Sequence, residues 1–142
     1  MNGRHRRTAM LGLVTLLAVL VSGCAKPSGS HKGIVLFDDG TSVQSGSVEF
    51  RSLADGSRYA SRIAADGSFA LTDQDGEIVC PPGEYEVVVV QIVLTEDLAA
   101  EAHEHGRTVP RRYADYYTSG LRVTTPQQSD SPIRVTLETN HF

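Results

Sequence analysis

The chain is 142 residues long, carries 17 acidic against 13 basic side chains for a formal net charge of −4, and is 40% hydrophobic. That length and apolar content suit one domain with its own buried core. An acidic chain without a basic, aromatic-interleaved stripe is repelled by phosphate backbones, which excludes nucleic acid as a partner.

Arg4, Arg6 and Arg7 give the chain a positively charged start, and an apolar run of thirteen residues follows over 9–21. This is the charged region and hydrophobic region of an export signal. A membrane-spanning helix needs about 20 apolar residues, so the run is too short for a permanent span. It ends in Leu20-Val21-Ser22-Gly23-Cys24. Small residues there admit an extended backbone to a peptidase, and the cysteine after them makes the segment resemble the bacterial lipobox. The resemblance implies cleavage between Gly23 and Cys24, a diacylglycerol on the Cys24 thiol and a further acyl chain, such as palmitate, on the new amine. Each buried methylene contributes about 0.8 kcal/mol, so two or three chains hold a protein to a bilayer where one does not. Losing residues 1–23 removes three basic and no acidic residues, leaving a formal net charge of −7. With Cys24 lipidated, Cys80 has no partner for an internal disulfide.

Residues 24–32 are short, polar and rich in Ser and Gly, and read as a lipidated flexible tether. From residue 33 to 142 the texture is β. Strands are predicted at 34–37, 47–50, 59–63, 69–71, 85–94, 121–124 and 133–137, where Val, Ile, Tyr and Phe concentrate. Four Asp-Gly dipeptides, at 39–40, 55–56, 66–67 and 75–76, separate the early strands. Asp-Gly is a strong turn signal because hairpin turns need positive φ. Period-two alternation places Val35 with Phe37, Val48 with Phe50, and Ile133 with Val135 and Leu137 on inward faces. Residues 87–90 are valine throughout, which predicts a central strand covered on both sides, in part by the segment after it. That segment, 95–120, is the one non-β stretch. Thr95 as N-cap, Glu96 and Asp97 in a first turn and Gly106 past the end predict a helix over 96–105. Pro110 predicts a second helical turn over 110–117. The expected fold is all-β: a single Greek-key β-sandwich of about seven strands with a short helical insertion before the last two.

Several phrases in order carry a resemblance. They are Gly33-Ile34-Val35-Leu36-Phe37-Asp38-Asp39-Gly40-Thr41, Ser45-Gly46-Ser47-Val48-Glu49-Phe50, and Ala65-Asp66-Gly67-Ser68-Phe69-Ala70-Leu71. Pro81-Pro82-Gly83-Glu84-Tyr85-Glu86-Val87, Val109-Pro110-Arg111-Arg112-Tyr113-Ala114-Asp115 and Thr118-Ser119-Gly120-Leu121 follow. Together they resemble the carboxypeptidase regulatory-like family, whose fold is similar to transthyretin. The chain departs from that pattern at Ser42, where proline is common, and in the acidic stretch before Pro110. The resemblance implies a non-catalytic accompanying domain, and fold alone assigns no function.

Candidate chemistry is sparse. His103-Glu104-His105 offers two imidazoles and a carboxylate, but residues two apart on a helix lie about 200° around its axis, so no metal site is expected. Asp73-Gln74-Asp75-Gly76-Glu77 resembles the start of a calcium loop but lacks the distant bidentate Glu, and reads as a turn. Glu84 and Glu86 flank Tyr85 on a solvated strand face, and Cys80 is expected to pack beside Pro81-Pro82. Arg111, Arg112, Tyr113, Tyr116 and Tyr117 form the one aromatic-rich polar cluster, read first as a lid on the sandwich and second as a ligand surface. No cofactor and no catalysis are expected. The sequence reading is a lipid-anchored structural or interaction module of a bacterial cell envelope, facing periplasm or exterior, with an envelope protein or glycan as partner. Its alternative is a lipoprotein that binds carbohydrate, peptide or metal through the loop around His103 to Tyr117.

Overall fold

A computed structural model describes residues 31–92, 106–126 and 130–139. Gly23 and Cys24, the predicted helix over 96–105 and the His103-Glu104-His105 motif lie outside the described residues.

Among the described residues seven strands form two sheets. In chain order they are β1 (Lys32–Phe37), β2 (Ser47–Ser52), β3 (Arg58–Arg62), β4 (Ser68–Ala70), β5 (Gly83–Val90), β6 (Leu121–Thr125) and β7 (Ile133–Leu137). One sheet has the order β4-β1-β7 and the other β3-β2-β5-β6. All pairings are antiparallel except β1 with β7, where the first and last strands run side by side from Gly33↔Ile133 to Phe37↔Leu137. β1 begins at Lys32, inside the predicted tether, because Lys32 pairs with Ala70 and the His31 carbonyl accepts the Leu71 N–H.

The Asp-Gly signals work through one repeated device. Asp39, Asp55 and Asp66 each accept, through Oδ1, the backbone N–H two residues on, from Thr41, Ser57 and Ser68. The side chain thereby mimics a backbone turn while the glycine between takes positive φ. In the fourth turn the acceptor is Asp73, which takes the N–H of both Asp75 and Glu77. Its carboxylate is committed to closing a turn. Gly67 also brings two chain segments together: a Cβ there would lie 2.7 Å from the Val35 carbonyl oxygen.

After β4 the chain changes sheets. Leu71 still bonds back toward β1, whereas Thr72 exchanges both backbone hydrogen bonds with Ala60 and so covers the free side of β3. Pro81-Pro82-Gly83 then delivers it into β5. The Pro81 carbonyl accepts the Tyr85 hydroxyl and, at 2.9 Å, that of buried Thr125. β5 ends at Val90, short of its predicted end, because its partner β2 begins opposite it at Ser47, and the Gln91 side chain beyond ties in other segments. Its Nε2 donates to Ser45 and its Oε1 accepts the Val109 N–H.

The inward residues read from alternation all reach the core. Val35, Phe37, Val48, Phe50, Ile133, Val135 and Leu137 are buried together, while Arg134, Thr136 and Glu138 are exposed. Phe50 of one sheet meets Phe69 of the other at 5.8 Å between ring centroids and Tyr85 at 5.9 Å, and Tyr59 stands edge-on to Tyr85. Such tilted and edge contacts add to plain area burial. Cys80 is buried in the same cluster.

β5 is central, as its valines predict. Val87 and Val89 face the core, and Val88 is buried on the other side. The returning segment supplies that cover, as a 3-10 turn (Arg111–Ala114) and a single α-helical turn, α1 (Tyr116–Ser119), both packed on β5.

Candidate ligand surface

The predicted cluster from Arg111 to Tyr117 does not form one surface. Between the 3-10 turn and α1 stands Asp115 with extended dihedrals, φ −135° and ψ 136°, and this single extended residue redirects the chain. Its carboxylate caps α1 by accepting the Tyr117 N–H at 2.7 Å. The residues before it go to one place and those after it to another.

Before the break, Tyr113 is buried and closes the free edge of β7. Its hydroxyl accepts the Glu138 N–H at 2.7 Å and donates to the Glu138 carbonyl at 3.2 Å. Arg112 donates to the same carbonyl at 2.9 Å. Arg111 points into solvent. An open cleft of about 260 Å³ lies here between β6 and β7, lined by Arg112, Tyr113, Ser119, Leu121, Thr136 and Glu138. Its polar groups already serve the fold: the Ser119 hydroxyl donates to the Val87 carbonyl and accepts the Leu121 N–H. Tyr113 is a lid, and the cleft beside it holds no nucleophile with a base.

After the break, Tyr116 lies over the outer face of the four-stranded sheet, and Tyr117 follows it on α1. Strand register brings Arg58, Arg51, Glu86 and Arg122 into one row across β3, β2, β5 and β6. Arg51 donates to Glu86 through Nε at 3.2 Å and through Nη2, and Arg122 reaches the other carboxylate oxygen at 3.3 Å. One position along β2, Glu49 accepts the Tyr116 hydroxyl at 2.8 Å and pairs with Arg58 at 3.6 Å. The Arg51 guanidinium sits 4.0 Å above the Tyr116 ring, a cation–π contact. Tyr117 is 95% exposed.

The electrostatics follow from these contacts. The hydrogen bond from Arg51, with the charges of Arg51 and Arg122, holds the Glu86 carboxyl below its ordinary range against a smaller opposing effect of burial. Burial first, then the bond to Glu49, pushes the Tyr116 hydroxyl up. Glu86 is thus an anion at neutral pH and Tyr116 a neutral donor. Burial likewise pushes the Cys80 thiol up to about 11, which makes it an unreactive packing group.

Arg51, Arg58, Arg122, Glu49 and Glu86 were not in the predicted surface. Glu49 alternates with the inward Val48 and Phe50, and Glu86 reads as a solvated strand residue, but Arg51 and Arg58 fall just outside the predicted strands 47–50 and 59–63. The signal missing from the chain is which strand lies beside which. Among the described residues no group of three or more His, Cys, Asp or Glu is placed to hold a metal ion. Comparison of the chain with protein-family models, with curated proteins and with solved structures finds no match in any of the three.

Proposed function

We propose that the protein is a lipid-anchored, non-catalytic lipoprotein of a bacterial cell envelope, whose β-sandwich acts as a structural or interaction module. The observation that carries the reading is the sequence of three signals: Arg4, Arg6 and Arg7, the apolar run over 9–21, and Ser22-Gly23-Cys24. The finer fold assignment belongs to the same proposal: a Greek-key sandwich of the carboxypeptidase regulatory-like, transthyretin-like kind. It is supported by where the resembling phrases fall. Gly33 to Thr41 covers β1 and its turn, Ser45 to Phe50 opens β2, Ala65 to Leu71 spans a turn and β4, and Pro81 to Val87 leads into β5.

The fold would carry its surfaces away from such an anchor. The tether joins at His31 and Lys32, beside Leu71, while Arg112 and Tyr113 pack against the far end of β7, which runs parallel to β1. Six residues of β1 at about 3.3 Å each separate the two ends by roughly 20 Å.

The test is intact-mass analysis of the first peptide of the protein made in a bacterium with lipoprotein processing. The expected peptide begins at Cys24 and carries acyl chains, and the protein stays with membranes in high salt, since acyl burial is not screened as charge attachment is. Cys24→Ala is expected to leave an unlipidated chain whose sandwich still folds. An unmodified Cys24, or a cut elsewhere, rejects the anchor. A second reading, a ligand-binding lipoprotein, is favoured by the arginine row on the outer sheet face and the exposed Tyr117 ring on the neighbouring α1.

A further inference from the structure

The row across the outer face contains a pairing that sheet stability does not favour. Arg51 and Arg58 are direct cross-strand partners, and like charges directly opposite one another destabilise a sheet. The face as a whole carries Arg51, Arg58, Arg62 and Arg122 against Glu49, Glu84 and Glu86, in a chain whose acidic residues outnumber its basic ones. Arginine is in excess here and nowhere demanded by packing: the side chains of Arg58 and Arg122 are 53% and 65% exposed.

The same row shows what the arginines can do. Arg51 and Arg122 grip the Glu86 carboxylate from two sides, so guanidinium donors are already arranged around one anion. Each guanidinium has five N–H donors in a planar fork, and the face's carboxylates do not exhaust them. Glu49 and Glu86 in turn each keep lone pairs beyond the bonds they accept. Next to Tyr116 on α1 stands Tyr117, an aromatic ring almost wholly in water.

We propose that this face binds an acidic polysaccharide, a chain of sugars bearing carboxylates. The inference rests on the ligand-binding reading and not on the lipid anchor. Arg58 and Arg122 take the carboxylates, the free lone pairs of Glu49 and Glu86 accept sugar hydroxyls, and Tyr117 packs against the apolar face of a sugar ring. The row from Arg58 to Arg122 crosses four strands, about three strand spacings or roughly 14 Å, beside α1, a span over which an extended polymer meets both outer arginines. An acidic polypeptide fits less well. Its carboxylate side chains bring no hydroxyls for Glu49 and Glu86, so the arginines alone would hold it.

The experiment is affinity electrophoresis of the full-length protein in non-ionic detergent, at low ionic strength, through gels containing polygalacturonate, dextran or poly-L-glutamate. Polygalacturonate is expected to retard it, with an affinity that falls as salt rises. Dextran is expected to have no effect, and poly-L-glutamate at least a tenfold weaker one. Arg58→Ala combined with Arg122→Ala should weaken polygalacturonate binding at least tenfold, and Tyr117→Ala about fivefold. Arg134→Ala, outward on the other sheet, should bind as wild type does. Thermal midpoints are measured alongside. If the double arginine variant unfolds, the wholly superficial Tyr117→Ala decides. Failure of polygalacturonate to retard the wild-type protein, equal retardation by poly-L-glutamate, or undiminished binding by folded variants overturns the proposal. None of these results bears on the mass of the lipidated peptide, so the anchor stands or falls separately.

Discussion

The two faces of the four-stranded sheet are built on opposite terms. Its inner face is Val48 and Phe50, Tyr85, Val87 and Val89, closed by Phe69 from the other sheet. Nothing polar is left unpaired there: among the described residues no buried side-chain nitrogen or oxygen lacks a hydrogen-bond partner. The outer face, apart from buried Val88, is largely arginine and glutamate with Tyr116 laid on it, held by ion pairs at half-exposed positions. Surface pairs of that kind contribute about 0–1 kcal/mol each, whereas filling a core position with a large apolar side chain contributes several times more. Strands built this way are fixed by one face, which leaves the other free to carry costly groups such as the Arg51–Arg58 pair.

The largest test of this contrast is Phe50→Ala, which deletes the ring joining both sheets. It is expected to lower stability by about 3–5 kcal/mol, seen as a shifted denaturant midpoint with unchanged slope. A loss under 1 kcal/mol would mean that Phe50 does not join the two sheets as described. Next comes Gly46→Ala. Gly46 has φ 117°, and a Cβ there would strike the Val90 carbonyl oxygen, a backbone atom that cannot swing aside. The expected cost is about 1–3 kcal/mol, and stability equal to wild type would refute the close approach of β2 to the end of β5.

On the outer face Tyr116→Phe keeps the ring beneath Arg51 and removes only the bond to Glu49. It should cost about 1 kcal/mol. Glu49→Ala removes the same bond, so the double substitution should cost less than the sum of the two singles. Full additivity would show that the two groups do not meet.

The smallest effect is an acid limb. The Thr41 hydroxyl and N–H hydrogen bonds, with a lesser effect of Arg107, hold the Asp39 carboxyl at about 2, below its ordinary 3.8. A depressed folded-state pKa stabilises above the unfolded value and is lost as pH falls through the folded one. Asp39 therefore contributes fully above about pH 4 and loses its contribution between 3.8 and about 2. Asp55 and Asp66, lowered chiefly by Ser57 and Ser68, add to the loss in the same direction, below their ordinary value. Asp39→Asn should shallow the fall of the thermal midpoint across that interval, and an unchanged fall would remove Asp39 from the account.

Seven strands, their inward faces and the Asp-Gly turns were legible in the chain because each depends on neighbours within a few residues. Alternation needs only one strand, and an Asp side chain closing on the N–H two residues later needs only one turn. The lid was half legible. The tyrosines advertise a cluster, but Asp115, one residue in an extended conformation, sends Tyr113 into the core at the β7 edge and Tyr116 onto the sheet. The arginine row was not legible at all. Arg51 and Arg58 lie in one hairpin, but Glu86 and Arg122 come from distant parts of the sequence. The pattern that yields a β fold is one-dimensional, so the sequence by itself determined it. Which strands lie side by side depends on how two apolar faces pack across the core, a long-range balance that no local pattern encodes. Tertiary structure alone decided that Arg58, Arg51, Glu86 and Arg122 share one row, with Arg51 stacked on Tyr116.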